Sequence, residues 1–270
     1  MRTPRIIGAR EFETTDPSIL PDMAESLGPN HAPTPHRTSA YAMLEAIDSA
    51  GLTLKSQIHV VDGLRTMRRE GGGNYGEITV PNAHLFSLYT VWYGEMDDLL
   101  IGYRNSVAQS MARRCCVGKS FPICSNVSLF GEDIVFNAKN TVGQTDIFRI
   151  AREGVQEKVL PLFRTIEEQL EALRNRTMVG DTRTAEQHKL FLDGTLPVRY
   201  LTALDDVLTA AKENRTDDNG VLIYPEVTEN IFNALGVMHA ATRVIQDKGI
   251  RQQATLSQKI SKHFGFGVAA

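Results

Sequence analysis

The stretch Leu52–Val80, LTLKSQIHVVDGLRTMRREGGGNYGEITV, decides the fold class. Leu52, Leu54, Ile58 and Val60 largely alternate with Lys55, Gln57 and His59, a period of two that predicts a half-buried β-strand. A second strand, roughly 64–69, meets a third, roughly 75–80, across Gly71-Gly72-Gly73-Asn74, whose glycines supply the positive φ a hairpin needs. Arg65, Arg68 and Arg69 crowd one arm of this hairpin, and Tyr75 opens the other.

Working outward, Thr38 or Ser39 is placed to cap a helix that carries Tyr41, Leu44 and Ile47 and stops at Gly51. The 35 residues before it hold six of the eleven prolines (Pro4, Pro17, Pro21, Pro29, Pro33 and Pro35) and read as an extended arm. Downstream, 86–93, 99–103, 115–124 and 134–138 are short β-branched or aromatic runs bounded by Gly, Asn or Pro, and predict further strands. Trp92 and Tyr93, set among aliphatics, are expected in the core. From Ile147 the period changes: Ile147, Ile150, Val155, Val159, Leu162, Ile166, Leu170 and Leu173 describe a helix, with Pro161 as a kink. A capping box at Thr184–Gln187, a helical face through Tyr200, Leu204, Val207, Leu208 and Ala211, a turn at Asp217–Gly220 and a last helix over 228–248 complete the pattern. The expectation is an α+β protein: an antiparallel curved sheet in the N-terminal half backed by long helices, and a helical C-terminal half. Residues 1–35 form the arm, 36–145 the sheet region, and 146–270 a helical region packed on it in one continuous domain.

With 270 residues, 42% of them hydrophobic, the chain can bury a sizeable core. Its net charge of −3 means that any claim of nucleic-acid binding has to rest on a local patch. Three cysteines, two of them adjacent, make no disulfide framework, and MRTPRIIGAREF lacks the apolar core of a secretory leader. The expected compartment is a reducing bacterial cytoplasm. No run approaches 18 apolar residues, so no membrane span is expected.

One patch stands out. Between Leu99 and Gly131 there is no Asp or Glu, while Arg104, Arg113, Arg114 and Lys119 interleave with Tyr103 and Phe121. Cations for phosphates and planar rings for bases are what single-stranded nucleic acid requires, although a positively charged strand edge has the same composition. The polar Asn105-Ser106 pair reads as a turn at its start. Cys115, Cys116 and Cys124 have the wrong spacing for a zinc knuckle even with His59 or His84, and adjacent strand residues point to opposite faces. A cysteine nucleophile with His59 or His84 and Asn126 has no sequence signature, and buried free cysteine is the ordinary state. The triple glycine lacks both the Walker ending and the Rossmann spacing. Glu167-Glu168 and Asp205-Asp206 fit wet helix faces. No catalytic residue, metal ligand or cofactor is therefore assigned.

Tyr103-Arg104-Asn105-Ser106, the strand ending in Cys124-Ser125-Asn126, the long helix from about Asp146, the Thr38-x-x-Tyr41 helix start and the late helix Asn230–His239 together resemble a family common in bacteriophage and plasmid genomes, domain of unknown function nine-three-two. That family's Asn-Ser-His-Asp step reads Asn105-Ser106-Val107-Ala108 here, and its His-Thr pair reads Asn140-Thr141. Families of this kind are similar to single-strand-annealing recombinases of the Rad class, which implies a curved sheet, a long helix and assembly into rings or filaments. On this resemblance the expected function is a non-enzymatic single-stranded DNA-binding and annealing protein acting as a homo-oligomer. Its contacts would be Arg65, Arg68, Arg69, Tyr75, Tyr103, Arg104, Arg113, Arg114 and Lys119. The alternative is a phage host-interaction or anti-defence protein that binds a bacterial protein.

Overall fold

The computed structural model describes residues 12–63, 65–69, 76–108, 112–121, 126–134, 141, 146–246 and 250–265, and excludes the side chains of 65–69, 76–78, 97–98, 119–121, 126–134 and 250–254. The fold is α+β, with an antiparallel sheet in the N-terminal half and helices in the C-terminal half. Two compact units share the chain, one from Ala9–Val117 with Asp133–Pro161 and the other chiefly from Gly118–Glu132 with Leu162–Ala270. The units are interleaved in sequence.

In the first unit, β1 (Phe12–Thr14) pairs with β2 (Thr53–Asp62), and β2 with β5 (His84–Tyr93), which pairs in turn with β6 (Met96–Ser106). β7 (Arg114–Phe121), counted in the other unit from Gly118 on, and β8 (Asn126–Ile134), counted there up to Glu132, complete the order β1-β2-β5-β6-β7-β8. β3 (Arg65–Arg69) and β4 (Gly76–Val80) form a separate two-stranded ribbon with Arg65 opposite Val80 and Arg69 opposite Gly76. The predicted hairpin is therefore present, and it stands outside the main sheet.

α1 (His36–Ser49) lies on β2 and β6 and packs against α2 (Ile147–Gly154). It begins two residues before the expected cap. Pro35 occupies the N-cap position, and Ser39 lies fully buried inside the helix. Its end follows the sequence: the Gly51 N–H bonds the Asp48 carbonyl at 2.9 Å and the Leu52 N–H bonds Ile47 at 3.2 Å, with Gly51 at φ +71°. That double bond closes the helix and needs a residue at home in the left-handed region.

Among its described residues, the proline-rich N-terminal segment is not an arm. From Phe12 it pairs with β2, and Leu20 is buried with Ala40, Val61 and Leu85. Proline fixes an extended path without needing a donor, so the segment tracks the sheet and α1 while leaving few backbone groups to satisfy. Two further expectations change for physical reasons. The alternation in β2 breaks at Lys55, an extra residue between the Leu54–Val91 and Ser56–Thr90 pairs, beyond which both faces are covered and His59 is fully buried. Trp92 is not core but 45% exposed, with the Lys55 ammonium 5.5 Å above its ring.

A π-helical turn, Val155–Val159, follows α2 directly, and the Leu160 N–H reaches back five residues to the Val155 carbonyl. Pro161 comes next. The wider register is how the helix takes up a ring that would collide with a carbonyl four residues earlier.

The second unit holds α3 (Leu160–Asn175), α4 (Gly180–Leu192), α5 (Leu201–Lys212), α6 (Pro225–Glu229), α7 (Ala234–Arg243) and α8 (Ile250–His263), with Leu160 and Pro161 of α3 counted in the first unit. The Thr184 box is not used as a cap, because α4 starts at Gly180 and the Thr184 hydroxyl donates back to the Gly180 carbonyl at 3.3 Å. The single helix expected over 228–248 is two. Asn233 interrupts it and caps α7, its side-chain oxygen accepting from the Gly236 N–H at 3.1 Å. α7 is buried from Ala234 to Thr242 and is the centre of this unit.

Gly236 is required by a close approach, because a Cβ there would stand 2.0 Å from the Asn230 carbonyl oxygen. Gly236→Ala is expected to destabilise the protein by about 1–3 kcal/mol in chemical denaturation, through displacement of the α6–α7 turn. Gly51→Ala, which meets only backbone strain, is expected to cost roughly 1 kcal/mol.

Candidate nucleic-acid-binding residues and a buried polar seam

Strand alternation divides the basic island between two faces of the sheet. Tyr103 on β6 and Arg113 just before β7 are buried, Arg113 completely. The Arg113 guanidinium donates to the Thr34 hydroxyl and lies close enough to Tyr103 for their charges to interact. The Tyr103 hydroxyl lies near Ser39 of α1. Both residues thus face α1 and the segment leading into it, which corrects their expected place on a solvent-facing groove. Arg104 and Arg114 are half-buried. Arg65, Arg68 and Arg69 occupy β3 and Lys119 lies on β7, while their side chains, and Tyr75 as a whole, fall outside the described residues.

The helix-facing side of the sheet carries a continuous polar seam that the sequence reading did not find. Cross-strand register sets His59 opposite Ser87 and Ser87 opposite Tyr103. His59 Nδ1 is 3.0 Å from the Ser87 hydroxyl, and its ring meets Tyr89 edge to face at 5.7 Å. Farther along, Asn105 uses both amide hydrogens, donating to the Thr34 carbonyl at 2.9 Å and to His36 Nδ1 at 3.0 Å. His36 Nδ1 is therefore an acceptor, so its proton sits on Nε2 and is donated to the Asn82 carbonyl at 2.7 Å. The expected Asn105-Ser106 turn is instead the buried end of β6. On the opposite face, Ser106 donates to the Ala108 carbonyl, which leaves its oxygen to accept from His84 Nδ1 at 3.1 Å.

Burial controls the electrostatics. It pushes the His36 and His59 rings down to about 4, so both are neutral near pH 7. It raises the Tyr103 hydroxyl to about 12 against the opposing pull of the Arg113 charge. The two cysteines project to opposite faces, as strand geometry predicts: Cys115 interacts with Tyr89 and Tyr103, whereas the Cys116 thiol donates to the Gly102 carbonyl at 3.6 Å and lies near Arg104. Burial raises both thiols, Cys116 to about 12 and Cys115 well above its ordinary value. Thiols held protonated in this way are poor nucleophiles. Among the described residues no three His, Cys, Asp or Glu side chains are grouped to hold a metal, and no helix is long and apolar enough to cross a membrane. Cys124 and Tyr75 lie outside the described residues.

The seam has a partial signature in the sequence. Tyr103 with Asn105, and Arg113 with Cys115, keep the strand period across a polar stretch, which a hydrophobicity pattern passes over. His36, seated by Asn105, left no signal, because its partner is 69 residues away.

No family model matches this chain, and no curated protein or solved structure matches it.

The seam predicts acid lability with a definite sign. His36 and His59 hold their folded values near 4 against 6.5 for an unfolded chain, so the unfolded state binds more protons between these limits. Their stabilisation is complete above pH 6.5 and is lost as pH falls toward 4, roughly 3 kcal/mol for each ring. Denaturant midpoints measured from pH 7.5 to 4 are expected to fall steeply through this range, and less steeply in His36→Gln. Asn105→Ala, which strands His36 Nδ1 and the Thr34 carbonyl, is expected to cost about 2–4 kcal/mol at pH 7 by the same measurement.

Proposed function

We propose that this protein is a non-enzymatic, phage- or plasmid-type single-stranded DNA-binding and annealing protein that acts as a homo-oligomer. The observation that carries the reading is the β3–β4 ribbon, a two-stranded element outside the main sheet with three arginines in the five residues of β3. Residues on such a ribbon are not needed to fill the sheet's core, and guanidinium groups suit phosphate oxygens. Arg104 on β6 and Arg114 and Lys119 on β7 complete the candidate contact set, with Tyr75 as a stacking ring. Tyr103 and Arg113 leave that set because they are buried. Annealing draws its free energy from base pairing and requires no cofactor, and a self-assembled ring multiplies weak contacts into useful affinity.

A protein-binding reading is favoured by one observation. In the helical unit, Leu192, Val198 and Phe232 are 85%, 68% and 62% exposed, and such side chains mark protein contacts where they form one contiguous patch. Self-association and a bacterial host protein both fit that surface chemistry.

Fluorescence anisotropy of a labelled oligonucleotide across a salt series tests the main reading. Binding is expected to weaken linearly on a log–log plot, and replacing Arg65, Arg68 and Arg69 together by Ala is expected to lower the slope by roughly 2. Arg113→Ala is expected to change stability and leave the slope unaltered. Flat anisotropy at low salt from folded protein would sink the DNA reading and leave the protein-binding one.

A further inference from the structure

His263, the last residue of α8, sits between two carboxylates of the helical unit. Its Nδ1 is 2.8 Å from Asp193 Oδ2, on the residue that ends α4, and its Nε2 is 3.1 Å from Glu186 Oε1, about two α4 turns earlier. The imidazole and Glu186 side chains are each only 8% exposed, so solvent does little to screen the contact. We propose that a proton on His263 fastens the C-terminal end of α8 to α4, and that its loss on raising the pH releases that end, making α8 a pH-responsive element.

The chemistry follows from donor counting. Carboxylates accept only, so both bonds exist together only when both ring nitrogens carry hydrogen, that is, as the imidazolium. In the neutral ring one nitrogen presents a lone pair to a carboxylate oxygen about 3 Å away, which turns an attraction into a repulsion.

Basic groups and hydrogen-bond donors surround the two acceptors. Arg176 donates to Glu186 Oε1 at 2.6 Å, and Lys189 stands 3.7 Å from the other oxygen. Partial burial works to raise the Asp193 carboxyl, but hydrogen bonds from Thr195, with a smaller contribution from His263, outweigh it and hold the group below its ordinary value. On α8 itself Lys259 points to the Gly194 carbonyl at 3.5 Å, and Lys262 is the neighbouring cation. From α7, which packs on α8, His239 is driven down to about 3 by burial and by the Arg174 charge, and so carries no proton near pH 7. The His263 ring also meets Phe264 edge to face at 5.1 Å, and Arg176 lies over the Phe264 ring at 5.8 Å, so the same clasp orders the turn after α8.

Hydrogen exchange with peptide resolution, expressed as protection factors to remove the intrinsic effect of pH, tests this on the full chain. Protection over 256–265 is expected to fall roughly tenfold from pH 6 to pH 8, as one charge-assisted hydrogen bond is lost, while α5 stays constant as the internal reference. In His263→Gln the protection of α8 is expected to be low and the same at both pH values. Asp193→Asn, which removes one carboxylate and leaves the imidazole, is expected to shrink the pH response by half or more. Equal protection of α8 at pH 6 and pH 8 in the wild-type protein, or an unchanged pH response in His263→Gln, overturns the proposal. Because the wild-type comparison stands alone, the test survives even if a variant fails to fold.

Discussion

The first unit depends on burying a guanidinium and a neutral imidazole on the helix-facing side of the sheet. Polar groups in such a place cost several kcal/mol each unless they are satisfied, so the hydrogen bonds that link Arg113, Thr34, Asn105, His36 and Asn82 have to form as a set. Those bonds leave little freedom to the chain between Thr34 and α1. Apolar packing of Leu20, Ala40, Val61 and Leu85 holds the same segment down without fixing its register, and the directional bonds supply what packing lacks.

Histidine illustrates how completely environment decides charge in this molecule. His36 has one nitrogen accepting from an amide and the other donating to a carbonyl, so the site has an acceptor for one proton and none for a second. His263 has a carboxylate oxygen at each nitrogen, an arrangement that only the doubly protonated ring completes. The same side chain meets one donor and one acceptor in one unit and two acceptors in the other.

The basic island shows how composition can mislead about surface. A run without acids suggested one electropositive groove, yet a strand sends successive side chains to opposite faces, and half of the described members of that run are enclosed. Arg113 and Tyr103 serve the architecture, whereas Arg104 and Arg114 remain partly accessible. The ribbon formed by β3 and β4 is separate from the six-stranded sheet.

The residues by themselves determined the class of fold, the hairpin between Arg65 and Val80, the halt of α1 at Gly51, the helical face through Leu204, Val207, Leu208 and Ala211, and the opposed orientation of Cys115 and Cys116. All of these are set by contacts within a few positions along the chain: a period, a positive φ, an alternation. Only the tertiary structure decided that the proline-rich segment is packed, that one late helix is two, that Trp92 is partly exposed, and that a polar seam runs under α1. These features depend on partners tens of residues away, as with Asn105 and His36 or Glu186 and His263, and local preference is silent about a partner that only folding brings into reach.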